Sequence, residues 1–236
     1  QSCGTATATS VPCMFSHFGR KDFNIEDASH TENALDILKQ SKIDVQWREN
    51  DDGCKGVCTR LPTIEMIKVN DPQYCDGESC HDEVLVKELD NILKNIKKDT
   101  IIILHTIGSH GPTYYKRYPP AFKKFTPTCD TAEIQGCSQQ AITNTYDNTI
   151  LYVDHVVANA IKTLKQYPQY ESGLLYVSDH GESLGENGAY LHGLPYAIAP
   201  SAQTTVPMLV WLSDVMQRND GVDYACLKQK AAQSGY

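Results

Sequence analysis

Short, nearly continuous apolar runs mark three strands along the chain, at residues 100–104, 174–178 and 206–212. Runs of this kind, rich in branched side chains, are typical of strands buried on both faces, as in a parallel sheet covered by helices. A further strand is predicted at residues 43–47, where apolar and polar residues alternate. The pattern therefore predicts a largely parallel sheet.

Three other segments carry apolar residues at the three- and four-residue intervals of an amphipathic helix. They cover residues 31–40, 82–97 and 141–167. The first leads into the strand at residues 43–47, and the other two suit crossovers between parallel strands. We therefore predict one α/β domain over residues 1–236, without an internal repeat or a linker.

The cysteines indicate an oxidising compartment. Eight of the nine cysteines form close sequential pairs in short polar loops, and no CxxC motif occurs. This spacing favours local disulfide bonds over a zinc ribbon or a redox site. The pairs are Cys3/Cys13, Cys54/Cys58, Cys75/Cys80 and Cys129/Cys137. Cys226 is left over, and we expect its partner beyond Tyr236.

The net charge of -8 argues against binding to a polyanion such as nucleic acid. One segment departs from this balance, because residues 114–118 (YYKRY) and the following Lys123 and Lys124 combine aromatic rings with cations. Two interpretations stay open: an ordinary solvated loop, or a surface that meets anionic lipid headgroups. No apolar run approaches the ~18–20 residues of a membrane-spanning helix.

Histidines and a carboxylate follow two of the predicted strands. Asp179 and His180 come directly after the strand at residues 174–178, with His192 further on, and His110 follows residues 100–104 through a short turn. Ligands of open α/β sheets bind at the carboxyl ends of strands, and adjacent oxygen and imidazole donors suit zinc. For His105, which directly follows its strand, we predict a structural role.

The N-terminal segment is small and rich in hydroxyl groups, and a Cys3–Cys13 bond would make it a rigid loop. A hydroxyl nucleophile needs activation, which a metal ion can supply. If a helix begins here, its N-terminus also favours negative charge. The pattern does not choose among four candidate hydroxyls, which are Thr5, Thr7, Thr9 and Ser10.

These segments resemble the lipid A phosphoethanolamine transferases, a family that includes the mobile colistin-resistance enzymes. Residues 2–16 (SCGTATATSVPCMFS) look like the nucleophile segment of that family. The resemblance covers nearly the whole chain and continues through residues 47–50 (WREN), 53–58 (GCKGVC), 108–112 (GSHGP), 125–127 (FTP) and 178–188 (SDHGESLGENG).

The resemblance implies an α/β/α sandwich similar to alkaline phosphatases and sulfatases, with Thr7 as the nucleophile. It places the zinc ligands on Thr7, Asp179 and His180, together with a glutamate upstream of Gln1. It implies that His110 and His192 contact the phosphate of the substrate or bind a second zinc ion. It also implies that the following residues take part in substrate binding: Lys55 and Asp51.

The function implied is transfer of phosphoethanolamine from phosphatidylethanolamine to a phosphate of lipid A, through a covalent intermediate on Thr7. The resemblance implies a periplasmic domain, anchored in the inner membrane of a Gram-negative cell by helices that precede it, and we expect a monomer. The modification would lower the binding of polymyxins such as colistin. The alternatives are a phosphatase or phosphodiesterase, a phosphoglycerol transferase, or a catalytically silent domain that binds phospholipid headgroups.

Overall fold

The computed structural model describes residues 1–218 and 221–231, which form the following strands and helices. The strands are β1 (Asp44–Glu49), β2 (Thr63–Glu65), β3 (Thr100–His105), β4 (Gly173–Val177), β5 (Ser183–Leu184), β6 (Tyr190–Leu191) and β7 (Met208–Leu212). The helices are α1 (Thr7–Phe15), α2 (Ile25–Ser29), α3 (Ala34–Gln40), α4 (Met66–Val69), α5 (Glu83–Lys87), α6 (Leu89–Asn95), α7 (Gln139–Leu164), α8 (Ser201–Thr204), α9 (Asp214–Gln217) and α10 (Tyr224–Ala231). Short 3-10 turns lie at Tyr114–Lys116, Pro120–Phe122, Ile134–Gly136 and Glu186–Gly188.

A three-stranded parallel sheet in the order β2-β1-β3 confirms the strands predicted at residues 43–47 and 100–104. Its register pairs Glu49 with His105 at the carboxyl ends of β1 and β3. Helix α1 packs beside this sheet, because Val11 and Phe15 belong to the same apolar cluster as the buried Trp47 of β1. The sheet and α1 therefore bring the start of the chain close to the edge where ligands are expected.

The runs at residues 174–178 and 206–212 form strands, but the prediction that both faces are buried is wrong. β4 and β7 pair antiparallel with each other in a separate two-stranded sheet. Leu175, Met208 and Val210 are exposed. An apolar run indicates a strand but carries no information about its direction, and within the described residues no helix covers this side of the pair.

The helices follow local signals in the sequence. α3 begins at a capping box in which the side chains of Asn33 and Asp36 bind each other's backbone N–H. α7 confirms the helix predicted at residues 141–167, and its N-cap is Ser138, whose hydroxyl accepts from Ala141 N. The single helix predicted at residues 82–97 is instead two, α5 and α6. The backbone leaves the helical region at Glu88, which separates them.

Four disulfide bonds join the predicted pairs Cys3–Cys13, Cys54–Cys58, Cys75–Cys80 and Cys129–Cys137. Cys226 is exposed and unbonded among the described residues, so a partner beyond Tyr236 stays a prediction. In the part of the chain that the structure describes, no helix combines the length and the apolar character that crossing a bilayer requires.

Candidate active site

Thr7 is the first residue of α1, so its hydroxyl lies at the positive end of the helix dipole. Its Oγ1 lies 3.2 Å from Nε2 of His180. Two of the other candidate hydroxyls have structural roles, because Thr5 Oγ1 donates to Leu194 O at 2.6 Å and Ser10 Oγ donates to Asp179 O. Thr9 is exposed. The geometry therefore singles out Thr7 among the hydroxyls that the pattern left open.

The segment that carries Thr7 is held by residues from the far end of the chain. Ser2 N donates to Thr204 O at 2.8 Å, and Gly193 N donates to Thr5 O at 2.7 Å. Tyr196 donates its hydroxyl to Ser2 O at 3.1 Å. The segment that carries Thr7 and the segment 179–204 thus form one hydrogen-bonded unit.

Asp179 and His180 follow β4 directly, where the sequence predicts a ligand pair. The Nδ1–H of His180 donates to Gly181 O at 3.0 Å, which leaves the lone pair of Nε2 free to bind a ligand. The carboxylate Oδ2 of Asp179 is buried without a hydrogen-bond partner among the described residues. Burying a carboxylate oxygen without a partner costs free energy unless a bound cation or a hydrogen-bond donor compensates for the lost hydration.

These donors fit a zinc ion. Nε2 of His180 lies 3.2 Å from Thr7 Oγ1 and 3.7 Å from Asp179 Oδ2. Ligands at ~2.0–2.2 Å from a tetrahedral zinc ion are roughly 3.3–3.6 Å apart, close to both distances. The oxygen and nitrogen donor set is also one that zinc accepts. The predicted zinc ligands present in this chain are therefore compatible with one ion.

His110 and His192 lie beside this group. The ring centroid of His192 is 4.2 Å from that of His180 and 4.8 Å from that of His110. Nδ1 of His110 donates to Gly111 O at 2.7 Å, and Nδ1 of His192 donates to Glu182 Oε1 at 2.7 Å. All three histidines therefore use Nδ1 for orientation and leave Nε2 available for a phosphate oxygen or a metal ion.

Glu182 is a site residue to which the sequence reasoning gave no role. It is buried, and its carboxylate accepts from His192 Nδ1 and, at 2.8 Å, from the hydroxyl of Tyr114. Ligand atoms of His180, Glu182 and His192 lie within 4.8 Å of one another, a spacing that also suits a metal ion. Because the two oxygens of Glu182 already accept hydrogen bonds, we assign it to orienting His192 rather than to binding a metal.

The electrostatics agree with that assignment. The hydrogen bond and the charge of Glu182 raise the pKa of His192, although burial opposes the shift. Burial of Tyr114, together with the nearby carboxylate, raises the pKa of its hydroxyl far above the ordinary value. Tyr114 therefore stays a hydrogen-bond donor, and Glu182 shifts the equilibrium of His192 towards protonation relative to a free imidazole.

The loop that carries His110 is held from two sides. The buried Asp82 accepts from Ile107 N at 3.0 Å and Gly108 N at 2.8 Å, ahead of His110. Behind it, Arg117 Nε donates to His110 O at 2.9 Å. Residues 114–118 are thus not an ordinary solvated loop, since Tyr114 and Arg117 brace the site. The sequence signal was only that these residues follow the GSHGP motif closely.

Lys55 pairs with a neighbouring carboxylate rather than with Thr7. Its ammonium contacts Asp52, with Nζ 3.1 Å from Oδ2. The carboxylate Oδ2 of Asp51 lies 4.0 Å from His105 Nε2, and the charge of Asp51 contributes to the raised pKa of both His105 and His192. Asp51 therefore lies near the site, whereas the ammonium group of Lys55 pairs with Asp52.

His105 has the structural surroundings that the sequence predicts. Its Nδ1 lies 2.8 Å from Glu49 Oε2, and Glu49 also accepts from Trp47 Nε1 and Asp51 N, each at 2.7 Å. Burial alone would lower the pKa of His105, but the hydrogen bond and charge of Glu49 raise it. Burial would raise the pKa of Glu49, and the contacts with His105 lower it instead. The two residues form a buried ion pair.

Known proteins resemble the whole of this chain. The sulfatase family model matches residues 1–233. Phosphoethanolamine transferase EptA of Salmonella typhimurium is 56% identical over 236 residues, covering 100% of this chain and 43% of that protein. Phosphatidylethanolamine transferase Mcr-2 of Escherichia coli is 41% identical over 244 residues, covering 96% of this chain and 45% of that protein. The chain therefore spans less than half the length of these two curated relatives.

Among solved structures, the soluble domain of lipooligosaccharide phosphoethanolamine transferase A from Neisseria meningitidis is similar to this chain. It shares 53% identity and a TM-score of 0.96, covering 100% of this chain and 70% of that domain. This similarity confirms the predicted fold class, an α/β architecture of the alkaline phosphatase and sulfatase type.

Proposed function

The chain belongs to the sulfatase family, and we propose that it is the catalytic part of a zinc-dependent phosphoethanolamine transferase. Phosphatidylethanolamine is the donor, a phosphate of lipid A is the acceptor, and residues 1–236 belong to one catalytic domain. The observation that carries the proposal is the convergence of Thr7 Oγ1 and Asp179 Oδ2 on His180 Nε2, at 3.2 and 3.7 Å. The names of the similar transferases give the substrate class.

In this proposal Thr7, Asp179 and His180 hold a zinc ion together with a glutamate that precedes Gln1 in the full protein. The Thr7 hydroxyl would have a lowered pKa when zinc is bound, and negative charge on the phosphoryl oxygens would be offset. The N-terminus of α1, where Thr7 lies, favours the same negative charge. Both effects act on the atom that forms the new bond.

The reaction has two displacement steps. First, Thr7 Oγ1, having lost its proton to solvent, forms a bond to the phosphorus of phosphatidylethanolamine, the bond to the glycerol oxygen breaks, and diacylglycerol leaves with a proton. His192 is the proposed proton donor, since Glu182 raises its pKa. In the second step an oxygen of a lipid A phosphate bonds to the same phosphorus and its proton passes to His192. The bond between the phosphorus and Thr7 Oγ1 breaks, which returns Thr7 to its deprotonated form.

His110 would contact the phosphoryl oxygens through Nε2 in this scheme. In the alternative, His110 and His192 would hold a second zinc ion. Asp51 and Lys55 bind substrate. Asp51 suits the ethanolamine ammonium because it is a carboxylate near His192. Lys55 suits a phosphate oxygen once it leaves the exposed Asp52.

The disulfides and the relatives support a place in the periplasm, on a protein anchored in the inner membrane of a Gram-negative cell. The product carries an ammonium group beside the lipid A phosphate, so the outer surface becomes less negative. Polymyxins such as colistin are polycations and would bind it less well. A single chain contains every proposed role except the preceding glutamate, and we propose that the enzyme acts as a monomer.

The test is peptide mass spectrometry on the full-length enzyme after incubation with zinc and phosphatidylethanolamine. We expect a phosphoethanolamine adduct on the peptide of residues 1–20, located at Thr7 by fragmentation. Thr7→Ala should abolish the adduct and the transfer to lipid A. Thr9→Ala is the matched control, because it removes an exposed hydroxyl two residues away.

The outcomes separate the alternatives. Free phosphoethanolamine without any adduct would favour a hydrolase, in which water is the acceptor. A glycerol phosphate adduct would indicate a phosphoglycerol transferase. Bound lipid without reaction would indicate a silent binding domain. An adduct that persists in Thr7→Ala would refute the assignment of the nucleophile.

A further inference from the structure

A cavity lies beside the turn Tyr114–Lys116, and none of the proposed catalytic residues lines it. Its volume is about 580 Å³, within the ~300–1,000 Å³ of small-molecule sites. Three stretches of chain form its walls: the disulfide loop of Cys75 and Cys80 with its neighbours, the turn Tyr114–Lys116 with the residues after it, and Asp130.

The lining combines tyrosine rings with hydrogen-bonding groups of both kinds. The rings are Tyr74, Tyr115 and Tyr118, and the polar side chains are Gln73, Asp76, Ser79, His81, Lys116, Lys123 and Asp130. The face of an aromatic ring packs against C–H groups of a polar ligand. Tyrosine combines such an apolar ring with a hydroxyl that forms hydrogen bonds. Mixed donors and acceptors around several rings suit a ligand with many hydroxyl groups.

The charges of the lining balance, which argues against a phosphate as the main ligand. Lys123 forms an ion pair with Asp130 at 2.7 Å, and Lys116 lies 3.8 Å from Glu78 beside the cavity. Each cation that lines the cavity therefore has a carboxylate next to it. An anion would have to compete with these carboxylates, whereas a neutral polyol can bind to both members of a pair.

The base of the cavity is preorganised. Tyr118 is 5% exposed, and its hydroxyl accepts from Asn148 Nδ2 at 3.4 Å. Asp76 Oδ1 accepts from Glu78 N and Ser79 N at 2.9 and 2.8 Å, within the loop closed by the Cys75–Cys80 bond. Tyr115 and Lys116 are more exposed and form the rim. A rigid base lowers the entropic cost of binding a small ligand.

We propose that this cavity binds the neutral sugar rings of a saccharide, at a place distinct from the site of phosphoryl transfer. The turn Tyr114–Lys116 separates the two places. Tyr114 donates to Glu182 on the catalytic side, whereas Tyr115 and Lys116 line the cavity on the other side. A glycolipid acceptor is the natural source of such sugar rings, and only this last identification rests on the proposed transferase function.

The experiment is a titration of the protein with a phosphate-free N-acetylglucosamine disaccharide, followed by two-dimensional NMR. A chelator is present and donor lipid is absent, so the result does not depend on transferase activity. We expect saturable shifts, and an unchanged titration when inorganic phosphate is added. Tyr115→Ala should weaken binding about tenfold, which corresponds to the loss of about 1.4 kcal/mol.

Asp76→Asn is a second variant. It keeps the Oδ1 acceptor of the loop but replaces the charged Oδ2, which can accept from sugar hydroxyls, with an NH₂ group. We expect it to weaken binding several-fold, so the proposal stays testable if Tyr115→Ala does not fold. Tyr224→Ala is the control, because this tyrosine lies in α10 outside the cavity. The proposal is wrong if the wild-type protein shows no saturable binding, if phosphate displaces the disaccharide, or if the control weakens binding equally. None of these results would bear on an adduct at Thr7, so the two proposals fail separately.

Discussion

Removing the charge of Glu49 tests the buried ion pair next to the candidate site. Glu49 is 5% exposed, and the side chain of His105 is 14% exposed. In Glu49→Gln the amide oxygen still accepts one of the hydrogen bonds now made by Trp47 Nε1 and Asp51 N. Its NH₂ group, however, takes the place of the oxygen that accepts the other of these two bonds, while His105 Nδ1 is within 2.9 Å of either position. The substitution therefore removes the negative charge beside the buried imidazole and leaves one N–H donor without an acceptor.

The expected loss is about 3 kcal/mol in the free energy of unfolding at pH 6. Breaking a buried pair by removing one partner costs ~3–5 kcal/mol, and the remaining amide oxygen places this case at the lower end. The loss should depend on pH. The pKa of His105 is raised in the folded state, so the contribution is complete below ~6.5 and is lost as the pH rises through the raised value. The pKa of Glu49 is lowered, so the contribution is present above ~4.5 and is lost as the pH falls through the lowered value.

The assay is urea unfolding followed by tryptophan fluorescence, since Trp47 is buried beside His105. Wild type and Glu49→Gln are compared at pH 6 and pH 9, with the disulfides intact and a chelator present so that metal binding adds nothing to the stability. Glu133→Gln, at an exposed glutamate, is the control. A loss below about 1 kcal/mol at pH 6, or a loss that is larger at pH 9 than at pH 6, would refute the ion-pair description, because a buried pair predicts ~3 kcal/mol or more.

Three further predictions follow from the described contacts. Glu182→Gln should lower the transferase rate of the full enzyme by about 10–100-fold, because the orienting partner of a site histidine is lost; the same change at Glu186 should have little effect, and equal rates in both variants would contradict the role of Glu182. Zinc should raise the melting temperature of the wild-type chain but not that of Asp179→Asn, and calorimetry that shows equal shifts would remove Asp179 from the ligand set. Asp36→Ala should lower the free energy of unfolding in urea by about 1 kcal/mol or more, because it removes half of a capping box and the partner of Arg60. An unchanged urea midpoint would argue against a stabilising role for these contacts of Asp36.

Local patterns in the sequence predicted the elements that a single uninterrupted pattern of apolar residues defines. The apolar run of β3 and the helical spacing of α7 each identify the element without reference to any other segment. The direction of β4 and β7 was beyond such reasoning, because an apolar run is the same in parallel and antiparallel pairs. The break at Glu88 was missed for a related reason. The helical spacing of apolar residues continues across Glu88, whereas the helical conformation of the backbone is interrupted there.

The sequence predicted the parts of the candidate site that lie within recognised motifs. The choice of Thr7 among four hydroxyls required the resemblance, because Thr5 and Ser10 are distinguished only by carbonyl groups 189 and 169 residues away in the sequence. Glu182 was missed although it lies within a recognised motif. Its role depends on Tyr114, 68 residues earlier, and on a histidine ten residues later. Such roles are set by long-range contacts, which one sequence without homologues does not reveal.

The hydrogen bonds between the first residues and segment 179–204 have a consequence for folding during synthesis. A ribosome makes Thr7 well before the residues that hold its segment, since Ser2 binds Thr204 and Thr5 binds Leu194. A nascent chain that stops before residue 179 therefore has Thr7 but not the contacts that fix its position. Contacts of such long sequence separation form slowly. We therefore expect the site around Thr7 to assemble only after segment 179–204 has been made and has packed against the first residues.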